Sequence, residues 1–263
     1  MDSAHEDLAR IRSPALIHAH PGHELYVLGW VKRARPRIFV LTDGSGHTTR
    51  GRSDSTASLI EGLGAKRGEV FCPLTDRAIY DAILTGNISL FQTLLETIAG
   101  SFIAHDIDFV AGDAVEGFNP SHDICRFLID GAVALVKRRT GQIIPNYEIQ
   151  LTAWENGQPD RHDTECRHLV LSNDALEQKL QAAYAYQGLQ AEVLEHTGVS
   201  GCEYFRTECF RKVPPRANAG PADTPYYEKV GRERVRTGIY QTALRYRDHV
   251  LPIFDAISDY ATT

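Results

Sequence analysis

Three short clusters, far apart in the chain, carry the residue types that bind metals and move protons. The first holds His20, His23 and Glu24, the second Asp43, Ser45 and His47, and the third Asp113, Glu116, Asn119 and His122. Three neutral imidazoles such as His20, His23 and His122 would leave a bound zinc with its full double charge and an open position for water, whose pKa such a site lowers to roughly 7. That is the chemistry of a hydrolytic metal centre. Imidazole also suits iron, nickel and copper, so the ligands alone do not fix the metal. His18, two residues before His20, reads as a packing or supporting residue. Of the eleven histidines, His5, His105, His162, His168, His196 and His249 read as ordinary hydrogen-bonded residues, although His196, Cys202 and Cys209 are types that could gather around a metal.

Clusters this far apart meet only if the fold brings their turns to one edge. An apolar run from Ala15 to Ala19 breaks at His20-Pro21-Gly22, and Leu25, Leu28 and Val31 then recur at helical spacing between Glu24 and Ala34. The pattern predicts strand, turn, helix. A second run, Ile38 to Leu41, stops at a small polar turn with Gly44 and Gly46, and a third strand is expected over Ile107 to Ala111. Helices are expected over Ala57 to Leu63, Asp76 to Leu84 and Ser89 to Ala104, with only a short apolar run at Val70 and Phe71 between the first two. Asn119 followed by Pro120 is a strong helix start, with Ile124, Phe127, Leu128 and Leu135 on one face and His122 in the first turn. Strands alternating with helices imply an α/β fold with a mainly parallel sheet covered on both faces, whose ligand crevice lies beyond the carboxyl ends of the strands. Beyond about Gly141 the pattern changes. Strands are expected over Tyr147 to Ala153 and Cys166 to Leu171, a helix from Asn173 or Asp174 to about Gln187, and a helical tail from Tyr226 that Pro252 restarts or kinks. The expectation is one domain over residues 1–263, with a core at about 14–140 and a C-terminal extension at about 141–263.

Composition narrows the class. The chain has 263 residues, 43% hydrophobic and 24% charged, enough to bury a substantial core. A net charge of -6 argues against nucleic acid as the main partner. No apolar run approaches a membrane span, and the first residues lack the pattern of a signal peptide, so a cytoplasmic protein is expected. Five cysteines without a C-x-x-C pair make a poor disulfide or thiolate-zinc framework and read mostly as buried thiols.

The residues of these turns resemble the PIG-L/LmbE-like de-N-acetylases, zinc-dependent hydrolases of a Rossmann-like fold that remove acetyl groups from N-acetylated sugars. The resemblance covers roughly Pro14 to Thr140. The family's opening motif, a strand ending in A-H-P-D-D-E, stands here as Ala19-His20-Pro21-Gly22-His23-Glu24; its Thr-x-Gly turn stands as Thr42-Asp43-Gly44; and its Pro-Asp-His element stands as Pro120-Ser121-His122, preceded by Asn119. The resemblance implies a metal site of His20, His23 and His122, zinc by default or another divalent metal, and an N-acylated sugar or amino-sugar substrate. It also exposes departures. The family's general base aligns with Gly22, its carboxylate ligand with His23, and its carbonyl-polarising histidine with Asn119. Hydrolysis would then need another carboxylate from Asp113, Glu116, Asp43 or Glu24, with Asp113 first and Glu116 next, while Asn119 would stabilise an oxyanion. Glu24 is equally suited to orienting His20 or His122, and Asp43 and His47 to supporting the site or meeting substrate. The alternative is a non-hydrolytic metal- or glycan-binding protein of the same fold, or a different metal-dependent reaction.

Weaker features remain. Gly44-Ser45-Gly46 reads as a plain loop rather than a phosphate cradle. From Arg211 to Arg247 there are nine Lys or Arg and three Asp or Glu, interleaved with Tyr226, Tyr227, Tyr240 and Tyr246. That stretch suits a solvated face, an anionic sugar or a homo-oligomer interface.

Overall fold

The structure, a computed structural model, describes residues 11–46, 50–151, 166–214 and 223–263. Among the described residues seven strands form one sheet: β1 (Pro14–His18), β2 (Arg37–Thr42), β3 (Lys66–Leu74), β4 (Phe109–Asp113), β5 (Asn146–Ile149), β6 (Cys166–Val170) and β7 (Thr207–Lys212). Their order is β3-β2-β1-β4-β5-β7-β6. The first five run parallel, and β7 and β6 add an antiparallel pair at one end. This is the expected α/β, Rossmann-like arrangement.

Alternation along the strands supplies both faces. Ala15, Ile17, Phe39, Leu41 and Val110 join one buried cluster; Leu16, Ile38, Val40, Phe109 and Ala111 join the other. Every residue of β1 is buried, as befits a central parallel strand covered on both sides. On the first face lie α3 (Asp76–Leu84), α4 (Ile88–Ala104), α5 (Pro120–Thr140) and α9 (Leu251–Thr262). On the second lie α1 (Leu28–Ala34), α2 (Ser53–Gly62) and α6 (Asn173–Ala185). The remaining helices are α7 (Gln190–Ser200) and α8 (Tyr226–Arg236). Among the described residues no helix is long and apolar enough to cross a membrane.

Local chemistry explains the element that carries His122. The Asn119 side chain accepts the Ser121 N–H at 2.9 Å as the N-cap of α5, Pro120 takes the first turn, and Lys137, Arg138 and Arg139 face the carboxyl end. Gly141, at φ +76°, closes the helix by donating its N–H to Lys137 O. Ile124, Phe127, Leu128 and Leu135 are all buried.

Several elements differ from expectation. The segment after Gly22 is a 3-10 turn, His23–Val27, before α1 begins. β3 runs for nine residues where sequence shows only a short apolar run, because this edge strand is largely exposed and carries Lys66, Arg67 and Glu69. α7 lacks a clear pattern for the same reason, having no buried residue, whereas the buried positions of β7 include the polar Thr207 and Glu208. β5 ends at Ile149, and Thr152 and Ala153 lie outside the described residues. The tail is interrupted after α8 and resumes as a π-helical turn, Tyr246–Val250, that leads into α9 with Pro252 in its first turn. Of the five cysteines, none in a disulfide, only Cys125 is buried. Cys72, Cys166 and Cys209 are half-buried and Cys202 is exposed, which corrects the expectation of mostly buried thiols.

Candidate metal centre

β1, β2 and β4 are parallel, so the residues that follow them meet at one edge of the sheet. His20 and His23 arrive from the turn after β1, Thr42 ends β2, Asp113 ends β4, and His122 comes from the first turn of α5. The three imidazoles converge: ring centroids are 5.4 Å apart for His20 and His23, 5.0 Å for His20 and His122, and 4.7 Å for His23 and His122. Ligand-capable atoms of His23, Asp113 and His122 lie within 4.8 Å of one another.

Each ring is oriented differently. His23 Nδ1 faces both Asp113 oxygens, at 3.0 and 3.1 Å, and Asp113 also accepts the Ala19 N–H at 2.8 Å. A carboxylate on Nδ1 holds the proton there and leaves Nε2 as the lone-pair donor, as in metal sites backed by a carboxylate. His20 Nδ1 lies 3.0 Å from Asp76 Oδ1 and 2.7 Å from Thr42 Oγ1, while its Nε2 faces Asn119 Nδ2 at 3.3 Å. Because Asn119 Oδ1 is engaged as the N-cap, its amide N–H points into the site. His122 Nδ1 is buried without a hydrogen-bond partner.

Burial, reinforced by the neighbouring rings, pushes the His23 and His122 pKa values well below the usual histidine range. Burial likewise lowers His18 to about 3, with His23 the next contributor. Burial tends to raise Asp76, but the hydrogen bond and charge of His20, with Thr42 and the Gly46 N–H, outweigh it and hold this carboxyl below its ordinary value. The depressed imidazoles of His23 and His122 beside the Asp113 carboxylate, with one imidazole nitrogen left without a partner, suit a divalent metal.

The other expected residues are placed as follows. Glu24 is fully buried and reaches neither His20 nor His122: it accepts the Gly22 N–H at 2.8 Å and the Thr56 hydroxyl at 2.6 Å, and lies 3.5 Å from His18 Nε2. Burial pushes its pKa up. It therefore fixes the turn that carries His20 and His23. Asp43 organises its loop by accepting N–H groups of Ser45 and Asp76. Glu116 Oε2 accepts the Leu151 N–H at 3.0 Å. His47 lies outside the described residues. His196 hydrogen-bonds Tyr26, and Cys202 approaches Tyr184, so neither gathers with Cys209. In the basic stretch, Arg211, Arg232, Arg236 and Arg245 pair with Glu148, Glu228, Glu233 and Asp248, and Arg234 meets Tyr240.

Asp76, Tyr186 and Leu189 are not among the residues expected at the site. Asp76 follows β3, whose polar edge character hides the strand and hence its turn; Thr75-Asp76 as a helix start was the available signal. Leu189 and Tyr186 come from the connection after α6 and pack over Gly22, which sits at φ +107°. A side-chain carbon at Gly22 would overlap Leu189 Cδ1 and lie 3.6 Å from Leu189 Cγ and 3.8 Å from Tyr186 Cε1. The space beside Gly22 is thus occupied by side chains from the C-terminal half of the chain.

No family model matches the chain, and no curated protein matches its sequence. Solved structures do. A deacetylase of the A40926 pseudoaglycone is 18% identical with a TM-score of 0.50, covering 79% of this chain and 99% of its own. N,N'-diacetylchitobiose deacetylase from Pyrococcus horikoshii is 14% identical with a TM-score of 0.51, covering 79% of this chain and 85% of its own. A deacetylase of teicoplanin biosynthesis is 12% identical with a TM-score of 0.51, covering 78% and 100%. At these identities the likeness is one of fold.

Proposed function

We propose that the protein is a metal-dependent amide hydrolase of the PIG-L/LmbE-like de-N-acetylase type, acting on an N-acylated sugar or amino-sugar conjugate. The observation that carries this reading is the convergence of His20, His23 and His122, with His23 backed by Asp113 and His20 by Asp76. His20, His23 and His122 would hold one divalent metal, zinc by default. Bound there, such an ion supplies a Lewis acid for the amide carbonyl and a water of lowered pKa.

The chain's own groups divide the remaining work. Asp113, the carboxylate within the cluster, takes the proton from the attacking water; it already accepts from His23 and Ala19 and has further lone pairs. Glu116, turned to Leu151, is the second choice for this role. Asn119 donates its amide N–H to the oxygen that gains charge. Phe118, immediately before Asn119, stacks on Tyr226 with ring centroids 5.0 Å apart, the two residues being 40% and 55% exposed. An aromatic platform at this rim suits the apolar face of a sugar ring. The deacetylase fold of the structural neighbours supports the substrate class.

The second reading, a metal- or glycan-binding protein without hydrolysis, is favoured by Leu189 filling the position of the missing base. The two separate when protein purified without chelator is analysed for metal and assayed for free-amine release from a panel of N-acetylated sugars. The hydrolase reading expects one metal in this site and release that is lost in His20→Ala and strongly reduced in Asp113→Asn. Metal-loaded protein that releases no amine across the panel overturns it in favour of binding.

A further inference from the structure

A second cluster of metal-ligand side chains lies on the β6–β7 pair. An Sγ from each of Cys166 and Cys209 and a ring nitrogen of His168 all lie within 4.8 Å of one another. Register produces this. His168 stands opposite Cys209 and Cys166 opposite Arg211, so the period of two puts Cys166, His168 and Cys209 on one face while Leu169 and Phe210 turn to the core. Arg211 is engaged by Glu148.

We propose that Cys166, His168 and Cys209 form a second metal site, of the thiolate-imidazole class that takes zinc and its soft or borderline neighbours. Two sulfurs and a ring nitrogen discriminate against magnesium and calcium, which require oxygen. With Zn–S bonds of about 2.3 Å, tetrahedral donors stand roughly 3.5–3.8 Å apart, inside the 4.8 Å within which the three atoms already lie. Each thiol releases one proton on binding, so a divalent ion and two thiolates leave the site neutral. A disulfide is the poorer use of this pair. Cys166 and Cys209 are diagonal rather than opposite, a relation that spans roughly 7–8 Å, beyond the usual reach of about 4.4–6.8 Å between bridged Cα atoms. Neither cysteine is in a disulfide. The ion would join the strands that bracket α6 and α7, the stretch that delivers Tyr186 and Leu189 to Gly22. The site is independent of the hydrolase reading.

Cobalt loading of the 263-residue protein tests it, using wild type, Cys166→Ser/Cys209→Ser and His20→Ala/His122→Ala. The expected result is sulfur-to-cobalt charge-transfer absorption in wild type and in the histidine variant, and its loss with one equivalent of cobalt in the cysteine variant. Zinc should also slow alkylation of Cys166 and Cys209 in wild type by about tenfold or more, because a coordinated thiolate is shielded, while exposed Cys202 reacts unchanged. This second measurement needs no variant to fold. Cobalt-loaded wild type without a thiolate band, equal alkylation with and without zinc, or a Cys166–Cys209 disulfide in the isolated protein would each overturn the proposal.

Discussion

Substituting Gly22 probes how the turn after β1 is packed by the distant segment that carries Leu189. In Gly22→Ala two costs combine. The backbone stands at φ +107°, where a side chain adds about 1–2 kcal/mol of strain, and the new methyl overlaps Leu189 Cδ1, an overpacking cost of about 1–3 kcal/mol. The expected loss is therefore about 2–5 kcal/mol. Leu189→Ala alone empties a buried position in the small cluster with Leu25, Leu28 and Tyr186, and should cost about 2–3 kcal/mol, the low end for a buried leucine. In the double variant the methyl at position 22 enters the space that Leu189 leaves, so the overpacking cost disappears while the backbone strain stays. The double variant should be more stable than the sum of the singles by about 1–3 kcal/mol. Urea midpoints of the four proteins, fitted with a common slope, measure the cycle. A Gly22→Ala protein within about 0.5 kcal/mol of wild type, or a cycle additive to within about 0.5 kcal/mol, refutes the claim that Leu189 occupies this position. If the cycle behaves as expected, Gly22→Asp/Leu189→Ala becomes the variant in which a carboxylate is accommodated, and its amine release should exceed that of wild type.

Other expectations are as direct. In Asp113→Asn the carboxylate that orients His23 is lost, and metal affinity should fall about 10–100-fold by competition with a chromophoric chelator; unchanged affinity removes Asp113 from the site. Glu208 is buried, accepts the N–H groups of Gly29 and Trp30 at the start of α1, and pairs with buried Lys179 at 3.0 Å. Burial lowers the Lys179 pKa, with Glu208 opposing that shift, so Glu208→Ala should destabilise by about 3–5 kcal/mol by denaturant titration, and adding Lys179→Met should recover part of it. His18, His23 and His122 have folded pKa values below their unfolded value of 6.5, His18 reaching about 3. The unfolded chain therefore binds more protons below pH 6.5. Stability of the metal-free protein, full above 6.5, should be lost progressively as pH falls toward 3, with a slope of up to about 1.4 kcal/mol per pH unit for each group. Denaturant midpoints in chelator that do not fall between pH 7 and 5 contradict the neutral, buried state of these rings.

The sequence by itself determined what neighbours along the chain can encode. Apolar runs broken by Pro and Gly located β1, β2 and β4, and the capping pair Asn119-Pro120 located the start of α5. In an open parallel sheet the strand ends share one edge, so the convergence of His20, His23 and His122 follows from the element order alone. Tertiary structure decided which residues meet across long separations. Glu24 was expected beside the ligands and instead holds Gly22 and Thr56 against His18, because the 3-10 turn directs it inward. Asp76 reaches His20 from the end of an edge strand whose exposed residues erase its apolar signal. Leu189 covers Gly22 from a segment about 170 residues away, and Cys166, His168 and Cys209 gather only because β6 and β7 pair in one register. Periodicity and turn chemistry are local and can be read from the chain. Register and packing are set by the competing contacts of distant segments, and only the assembled fold selects among them.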